Sequence, residues 1–100
     1  MKNADNDARD GLHKETFRDG KLSAVGRYSN GKKTGVWKWY RENGKPLQVG
    51  RFKKGKQVGL WKRYHESGKL YDVGNYRDGE KTGVWKYYDK RGKLIRTKTL

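Results

Sequence analysis

The chain has 100 residues, the size of one small domain, and it contains no cysteine, which excludes disulfides and thiolate metal sites. Charged residues make up 37% of the chain and hydrophobic residues 31%, a balance common in disordered proteins. Four Trp, seven Tyr and two Phe nevertheless predict a folded chain, since burying one large ring is worth roughly 1.5–3 kcal/mol. The net charge of +15 predicts attraction to anionic partners.

Residues 1–10 carry no repeated feature, and this composition predicts a flexible tail. The first seven residues include no apolar stretch, so we expect no signal peptide. No segment approaches the length of a membrane span. The sequence therefore favours a cytoplasmic protein.

Residues 11–100 repeat with a period of 24 residues. The motif Gly-Val-Trp-Lys at residues 35–38 recurs at residues 83–86, and as Gly-Leu-Trp-Lys at residues 59–62. A weaker copy starts at Gly11, with His13 in the Trp position. This pattern defines one repeat domain with copies at residues 11–34, 35–58, 59–82 and 83–100.

Each copy predicts two short β-strands. The first, such as residues 37–41, has aromatic side chains at period two and runs into Asn43-Gly44, a pair typical of tight hairpin turns. The second, such as residues 70–76, ends at Asp78-Gly79, and a longer link over residues 79–83 leads to the next copy. Four copies predict an all-β protein: an elongated, single-layer antiparallel meander of about eight strands, with the last strand at an edge of the sheet.

Glycines inside the second strands predict close packing, because glycine weakens a strand unless another group must approach it. Gly50 and Phe52 share one face of their strand, so a Trp from the neighbouring strand could lie flat across the glycine. We therefore interpret Trp37, Trp61 and Trp85 as packing residues first.

These motifs together resemble the variant MORN repeat (membrane occupation and recognition nexus) of bacterial proteins. The resemblance covers residues 11–100, with Gly-x-Trp-Lys-x-Tyr, Asn-Gly-Lys and Val-Gly-x-Tyr as its main elements. It implies a curved sheet of stacked hairpins. It also implies binding functions known for the family, which include antitoxins, scaffolds, dimerisation modules and proposed phosphoinositide binders. Copy one and the shortened copy four depart from the pattern and are interpreted as caps of the array.

The residues do not predict catalysis or cofactor binding. The two histidines, His13 and His65, occupy positions that the other copies fill differently. His65 and Glu66 adjoin before a turn, and we interpret them as solvated rather than as a general base. Acidic residues are too few and scattered for the usual metal-ligand spacings. We expect no catalytic, cofactor or metal site, and therefore no enzyme.

Lysines recur in two phases of the repeat and predict charged rows about 10 Å apart per copy, because strands lie about 4.8 Å apart. One row contains Lys38, Lys62 and Lys86, and the other contains Lys45 and Lys93 near hairpin ends. The position of Trp39 is filled by Glu15, Arg63 and Tyr87 in other copies, so packing does not require a Trp there. The candidate partner-binding residues are Lys38, Trp39, Arg41, Lys45, Lys62, Arg63, Lys86, Tyr87 and Lys93.

Three binding functions fit these residues. The first is a protein-interaction module for an acidic partner, and the family resemblance points to an antitoxin or immunity-type protein. The second is nucleic-acid binding through rings interleaved with basic residues. The third is peripheral binding to an anionic membrane. A homodimer is compatible with any of the three.

Overall fold

The computed structural model describes residues 10–100 as one antiparallel sheet. Its strands are β1 (Gly11–Thr16), β2 (Leu22–Ser29), β3 (Lys32–Tyr40), β4 (Pro46–Lys53), β5 (Lys56–Tyr64), β6 (Leu70–Arg77), β7 (Glu80–Tyr88) and β8 (Leu94–Thr99). The strands follow one another in chain order across the sheet. The predicted tail lies outside the described residues, apart from Asp10.

The sheet is a single elongated layer, with principal extents of 50 × 33 × 12 Å. Each of the strands β2 to β7 pairs with the strand before it and the strand after it, whereas β1 and β8 pair on one side only and form the two edges. The predicted all-β meander of eight strands is confirmed. With no second layer, each side of the sheet must cover itself with its own side chains.

Two-residue turns close one long side of the sheet, at residues 30–31, 54–55 and 78–79. The first residue of each turn has a φ of 49–53° and the second, a glycine, has a φ of 77–89°. Positive φ at both positions is the geometry that matches the twist of a hairpin. Since β7 begins at Glu80, directly after the turn, the predicted longer link over residues 79–83 is wrong.

Five-residue loops close the opposite long side, at residues 17–21, 41–45, 65–69 and 89–93. In the second loop the Arg41 N–H donates to the Lys45 carbonyl and the Gly44 N–H donates to the Arg41 carbonyl, both at 2.8 Å. A register shift between Trp39 and Tyr40 precedes this loop and sets its length. The hairpin turn predicted at Asn43-Gly44 is confirmed, with Gly44 in the expected left-handed conformation at a φ of 88°, but Asn43 does not share the positive φ, so the reversal is not a two-residue turn.

The core consists of Trp side chains stacked on glycines of the preceding strand. A Cβ atom added to Gly50 would overlap the Trp61 ring, and the same holds for Gly26 with Trp37 and Gly74 with Trp85. These three Trp rings are 1–4% exposed. The predicted Trp-on-glycine packing is confirmed, and it joins each copy to the next.

Hydrogen bonds and ring contacts hold each Trp in place. The Trp37 indole N–H donates to the Arg27 carbonyl at 3.0 Å, and Trp61 and Trp85 make the equivalent bonds one and two copies later. Phe52 meets Trp61 edge to face, with ring centroids 5.2 Å apart. These contacts satisfy the polar atom of a buried ring, which would otherwise be costly.

Both ends of the array lose this Trp-on-glycine unit. The β8 position equivalent to Gly74 is Lys98, which pairs with Trp85, so no further Trp could stack there in the same way. At the other end His13 replaces the Trp, and its ring lies 5.2 Å from the Tyr28 ring. β8 lies at the edge as predicted, and all its residues are exposed.

Candidate partner-binding surfaces

The sheet has two faces of different chemistry, because successive side chains of a strand point to opposite sides. We call the side that carries Trp37, Trp61 and Trp85 the aromatic face. The other side, which carries Val36 and Lys38 on β3, is the open face. Both faces extend across all the strands, so the residues of each can be read from the pairing register.

Aliphatic side chains line the open face. One residue on every second strand contributes a large exposed side chain, between 44% and 58% exposed; these are Leu12, Val36, Leu60 and Val84. Half-buried valines occupy the strands between them: Val25, Val49 and Val73. Together we call these seven residues the aliphatic row.

Cations alternate with the residues of the aliphatic row from strand to strand. Lys38 lies opposite Val25 on one neighbouring strand and Val49 on the other, and Lys62 sits in the same way between Val49 and Val73. Towards the tight turns, Arg51 lies opposite Val36. The predicted lysine row is thus part of a surface that also contains aliphatic side chains. This association was not predicted from the sequence.

Shallow recesses interrupt the open face at intervals of two strands. One, of about 470 Å³, is lined by Leu12, Val25, Val36 and Lys38 among others. The next, of about 280 Å³, is lined by Val36, Val49, Leu60 and Lys62 among others. Each recess is therefore lined by three aliphatic side chains together with one lysine and one arginine.

On the aromatic face, Trp39 lies half-buried between two core rings. Its centroid is 5.9 Å from that of Trp37 and 5.7 Å from that of Trp61. Trp39 has room because Ala24, its partner on β2, has a small side chain that is 1% exposed. Trp39 is thus a partly exposed extension of the core.

Arg63 occupies the equivalent position one copy later and binds a carboxylate. Its guanidinium donates to both oxygens of Asp72, at 2.6 Å from Nη2 and at 3.0 and 3.2 Å from Nε. The hydrogen bond to Asp72, whose side chain is fully buried, raises the pKa of Arg63 above its usual value. The guanidinium also lies 4.9 Å from the centre of the Tyr71 ring. Arg63 is therefore already engaged within the chain.

Side chains join the five-residue loops to one another along the loop edge. Arg41 donates through Nη2 to the Tyr64 carbonyl at 3.0 Å, and Lys45 lies 3.5 Å from the Glu66 carbonyl. His65 Nε2 lies 2.7 Å from the Tyr88 carbonyl and therefore donates to it. These links tie each loop to the next copy. The structure thus gives His65 a positioning contact that its sequence context did not indicate.

The tight-turn edge carries a lysine cluster that is not among the candidate residues predicted from the sequence. Lys32, Lys53 and Lys54 line a cleft of about 500 Å³, together with Ser29 and Thr34. The run Lys-Lys-Gly-Lys at residues 53–56 was the available signal. This run forms a cluster with Lys32 only because the first tight turn lies beside the second, and that arrangement follows from the order of the strands in the sheet.

The candidate residues chosen from the sequence fall on the two faces and the loop edge, and Arg41 of the loop edge lines one recess with Trp39 and another with Arg63. Lys38, Lys62 and Lys86 lie on the open face, and Trp39, Arg63 and Tyr87 lie on the aromatic face. The remaining three, Arg41, Lys45 and Lys93, lie in the loop edge. A single compact partner could cover one of these surfaces, but it could not cover all nine residues.

Few cations among residues 10–100 are neutralised by carboxylates of the same part of the chain. Among residues 10–100, carboxylates approach a basic side chain in two places: Arg63 with Asp72, and His13 with Glu15 at 3.2 Å. In the same part of the chain no group of three or more His, Asp or Glu side chains is placed to hold a metal ion. Nor does that part include a helix long and apolar enough to cross a membrane.

Stacked hairpins, repeated Trp-on-glycine packing and an open basic face define a single-layer β-repeat protein. The sequence matches the MORN repeat variant family at residues 33–54, 57–78 and 81–99, which is more than half of the chain. The protein belongs to this family. The matched segments begin two residues before the glycines that open copies two, three and four.

None of the curated proteins matches the sequence. Among solved structures, a crystal structure of a mutant of S. aureus TarM in complex with fondaparinux, alpha-GlcNAc-glycerol and UDP is similar, with a TM-score of 0.56 and 17% identity. The match covers 90% of this chain and 18% of the TarM chain. At this identity the likeness concerns the fold alone.

Proposed function

We propose that this protein is a non-catalytic interaction module that binds an acidic protein, in the manner of an antitoxin or immunity protein. The observation that carries the proposal is the unneutralised charge. The chain has 26 Lys and Arg against 11 Asp and Glu, and within residues 10–100 only Arg63 among the Lys and Arg residues is paired with a carboxylate. An acidic partner would neutralise this surface and would be attracted to it from a distance.

Membership of a repeat family supports this function, since stacked repeats present extended surfaces suited to macromolecular partners. The clefts formed by residues 10–100 are open to solvent. We infer that the protein acts by occupying its partner's surface. A cytoplasmic location would fit an antitoxin, because an antitoxin must bind its target before the target acts.

Nucleic-acid binding is the second candidate, and Trp39 is the observation that favours it. Its ring is half-buried and stands beside other rings. Among the other copies, only Tyr87 is an aromatic residue at the equivalent position. A base could stack on such a ring. Anionic membrane binding has the lysine cluster at residues 53–56 in its favour.

The test begins with affinity capture from the native cell, with and without nuclease, followed by direct binding of purified candidates at about 0.15 M salt. We expect capture of an acidic protein whose binding is direct and unaffected by nuclease, and whose own activity is inhibited by this chain and returns when this chain is removed. Binding that disappears with nuclease and needs Trp39, tested with Trp39→Ala, would instead establish the second candidate. Association with anionic vesicles alone would establish membrane binding and refute the proposal.

A further inference from the structure

We propose that the open face is a docking surface for an acidic amphipathic helix of the partner protein, lying across the strands with its apolar side on the aliphatic row. This inference rests on the proposed binding of an acidic protein and specifies the surface and the shape of the ligand. Within residues 10–100 no other element covers the open face, because this part of the chain is a single layer 12 Å thick.

The spacing of the aliphatic row matches a helix. Its large exposed members lie on alternate strands, about 9.6 Å apart, since neighbouring strands are about 4.8 Å apart. Residues seven apart on a helix are separated by about 10.5 Å, because the rise is about 1.5 Å per residue. Side chains at i and i+7 of such a helix would meet successive recesses. A single strand along the same path would place side chains of one face about 6.6 Å apart and would lose register within two recesses.

The length of the row also suits a helix. From Leu12 on β1 to Val84 on β7 there are six strand spacings, about 29 Å. That distance corresponds to a helix of about 20 residues, or three heptads. A helix of this length is common in globular proteins and would cover the full aliphatic row.

The charges of the open face select an acidic helix. Lys38, Lys62 and Lys86 stand opposite valines of the aliphatic row on the neighbouring strands, and Arg51 stands opposite Val36, so cations alternate with the row along its length. Carboxylates beside the apolar stripe of a helix would therefore meet cations along its length. A second copy of this chain would place lysines against lysines, so face-to-face self-association is disfavoured.

The distribution of carboxylates reinforces this choice. Within residues 10–100, the acidic side chains of the strands lie on the aromatic face, as Glu15 and Asp72 do, or at the tight-turn end of β7, where Glu80 stands opposite Arg77 in the strand register. The centre of the open face therefore has cations and aliphatic groups without an acidic neighbour. Nucleic acid would satisfy the cations but would leave the aliphatic side chains uncovered.

The probe is a synthetic peptide of three heptads with Leu at positions a and d and Glu at positions e and g. Glutamates at e and g keep the peptide from pairing with itself at neutral pH. A control peptide has the same composition with the leucines distributed around the helix. Fluorescence anisotropy at about 0.15 M salt measures the dissociation constants, and circular dichroism measures the helix formed on binding.

Two chain variants complete the design. Val36→Thr with Leu60→Thr removes aliphatic surface from the row while retaining side chains that suit strands. Leu94→Thr with Ile95→Thr is the matched control, because these residues are similarly exposed (47% and 62%) but lie on β8 outside the row. Thermal melting of both variants confirms that the fold is kept.

We expect the amphipathic peptide to bind about tenfold more tightly than its control and to gain helix on binding. Binding should fall about tenfold in the variant of Val36 and Leu60 and change less than about twofold in the β8 control. Equal affinity for the two peptides, or no effect of the row variant, would overturn the proposal. So would binding only to anionic vesicles, or amide shifts in β1 and β8 that indicate strand addition at an edge.

The proposed function can fail separately. If a captured acidic partner binds the row variant as tightly as the parent, the docking surface is wrong while the interaction module stands. If no acidic protein binds the parent directly, the proposed function itself is wrong. The same row variant therefore separates the two claims.

Discussion

At the scale of single residues, the core can form because glycine has no side chain and so leaves room for a Trp ring. Gly50 is buried under the Trp61 ring, and its own strand sits at the centre of the sheet. Trp61 in turn satisfies its indole N–H on the Arg51 carbonyl, one residue beyond the glycine. The ring therefore needs both the missing side chain and the exposed carbonyl of the same strand.

We predict that Gly50→Ala destabilises the protein by about 1–3 kcal/mol, the range for overpacking a close-packed core. The added methyl group must displace the Trp61 ring and its hydrogen bond. Urea unfolding followed by Trp fluorescence measures the change. Gly35→Ala is the control, because its φ of 68° strains the backbone while its Cβ would meet no atom within 4 Å. If Gly50→Ala unfolds at the same urea concentration as the parent, the stacked geometry is incorrect.

The ion pair of Arg63 and Asp72 should respond asymmetrically to substitution. Arg63→Met leaves a fully buried carboxylate without its partner, and we expect a loss of about 2–3 kcal/mol, less than for a wholly buried pair because Arg63 is half exposed. Asp72→Asn leaves an arginine that water can solvate, and we expect a loss of about 1 kcal/mol. Equal losses in urea unfolding would show that Asp72 is not buried as described.

At the scale of elements, the two kinds of chain reversal were only partly predictable. Asn43-Gly44 and Asp78-Gly79 look alike in sequence, yet the first lies in a five-residue loop and the second forms a two-residue turn. The difference arises from the strand register, which shifts at Trp39 and Tyr40. Register depends on pairing between strands, so a local dipeptide could not specify it. The period of 24 residues was sufficient for the strands themselves.

The loop glycines should resist substitution by branched residues. Gly68 has a φ of 93°, where a β-branched side chain clashes with its own backbone. We predict that Gly68→Val costs about 1–3 kcal/mol and that Gly68→Asn costs less, because Asn tolerates positive φ better. Thermal melting of both variants provides the comparison. A Val variant that melts with the parent would contradict the assigned loop conformation.

Some features of the candidate surfaces could be predicted from the local sequence pattern, and others depend on the order and register of the strands. The lysine rows could be read from the repeat, and alternation alone places Val36 and Lys38 on one side of β3. The lysine cluster of the first two tight turns and the contact of Arg63 with Asp72 could not be read in this way. Both depend on residues that come together only when the strands are ordered and registered.

At the scale of the whole molecule, repulsion between cations should make the fold sensitive to salt. The net charge is +15, and among residues 10–100 carboxylates pair with basic side chains in only two places. Rows of cations about 10 Å apart lie near one Debye length at about 0.1 M salt, so their repulsion is only partly screened. We predict that the melting temperature rises as sodium chloride increases from about 0.01 M to about 0.15 M.

A charge-reduced variant distinguishes this screening from a general effect of salt on folding. Lys53→Gln, Lys54→Gln and Lys56→Gln together remove three cations from the second tight turn without changing a buried residue. The triple variant should melt at a higher temperature than the parent in low salt, and its melting temperature should rise less steeply as salt is added. If the melting temperature of the parent stays constant or falls as salt is added, the cations do not repel one another, because screening stabilises the fold only where there is mutual repulsion.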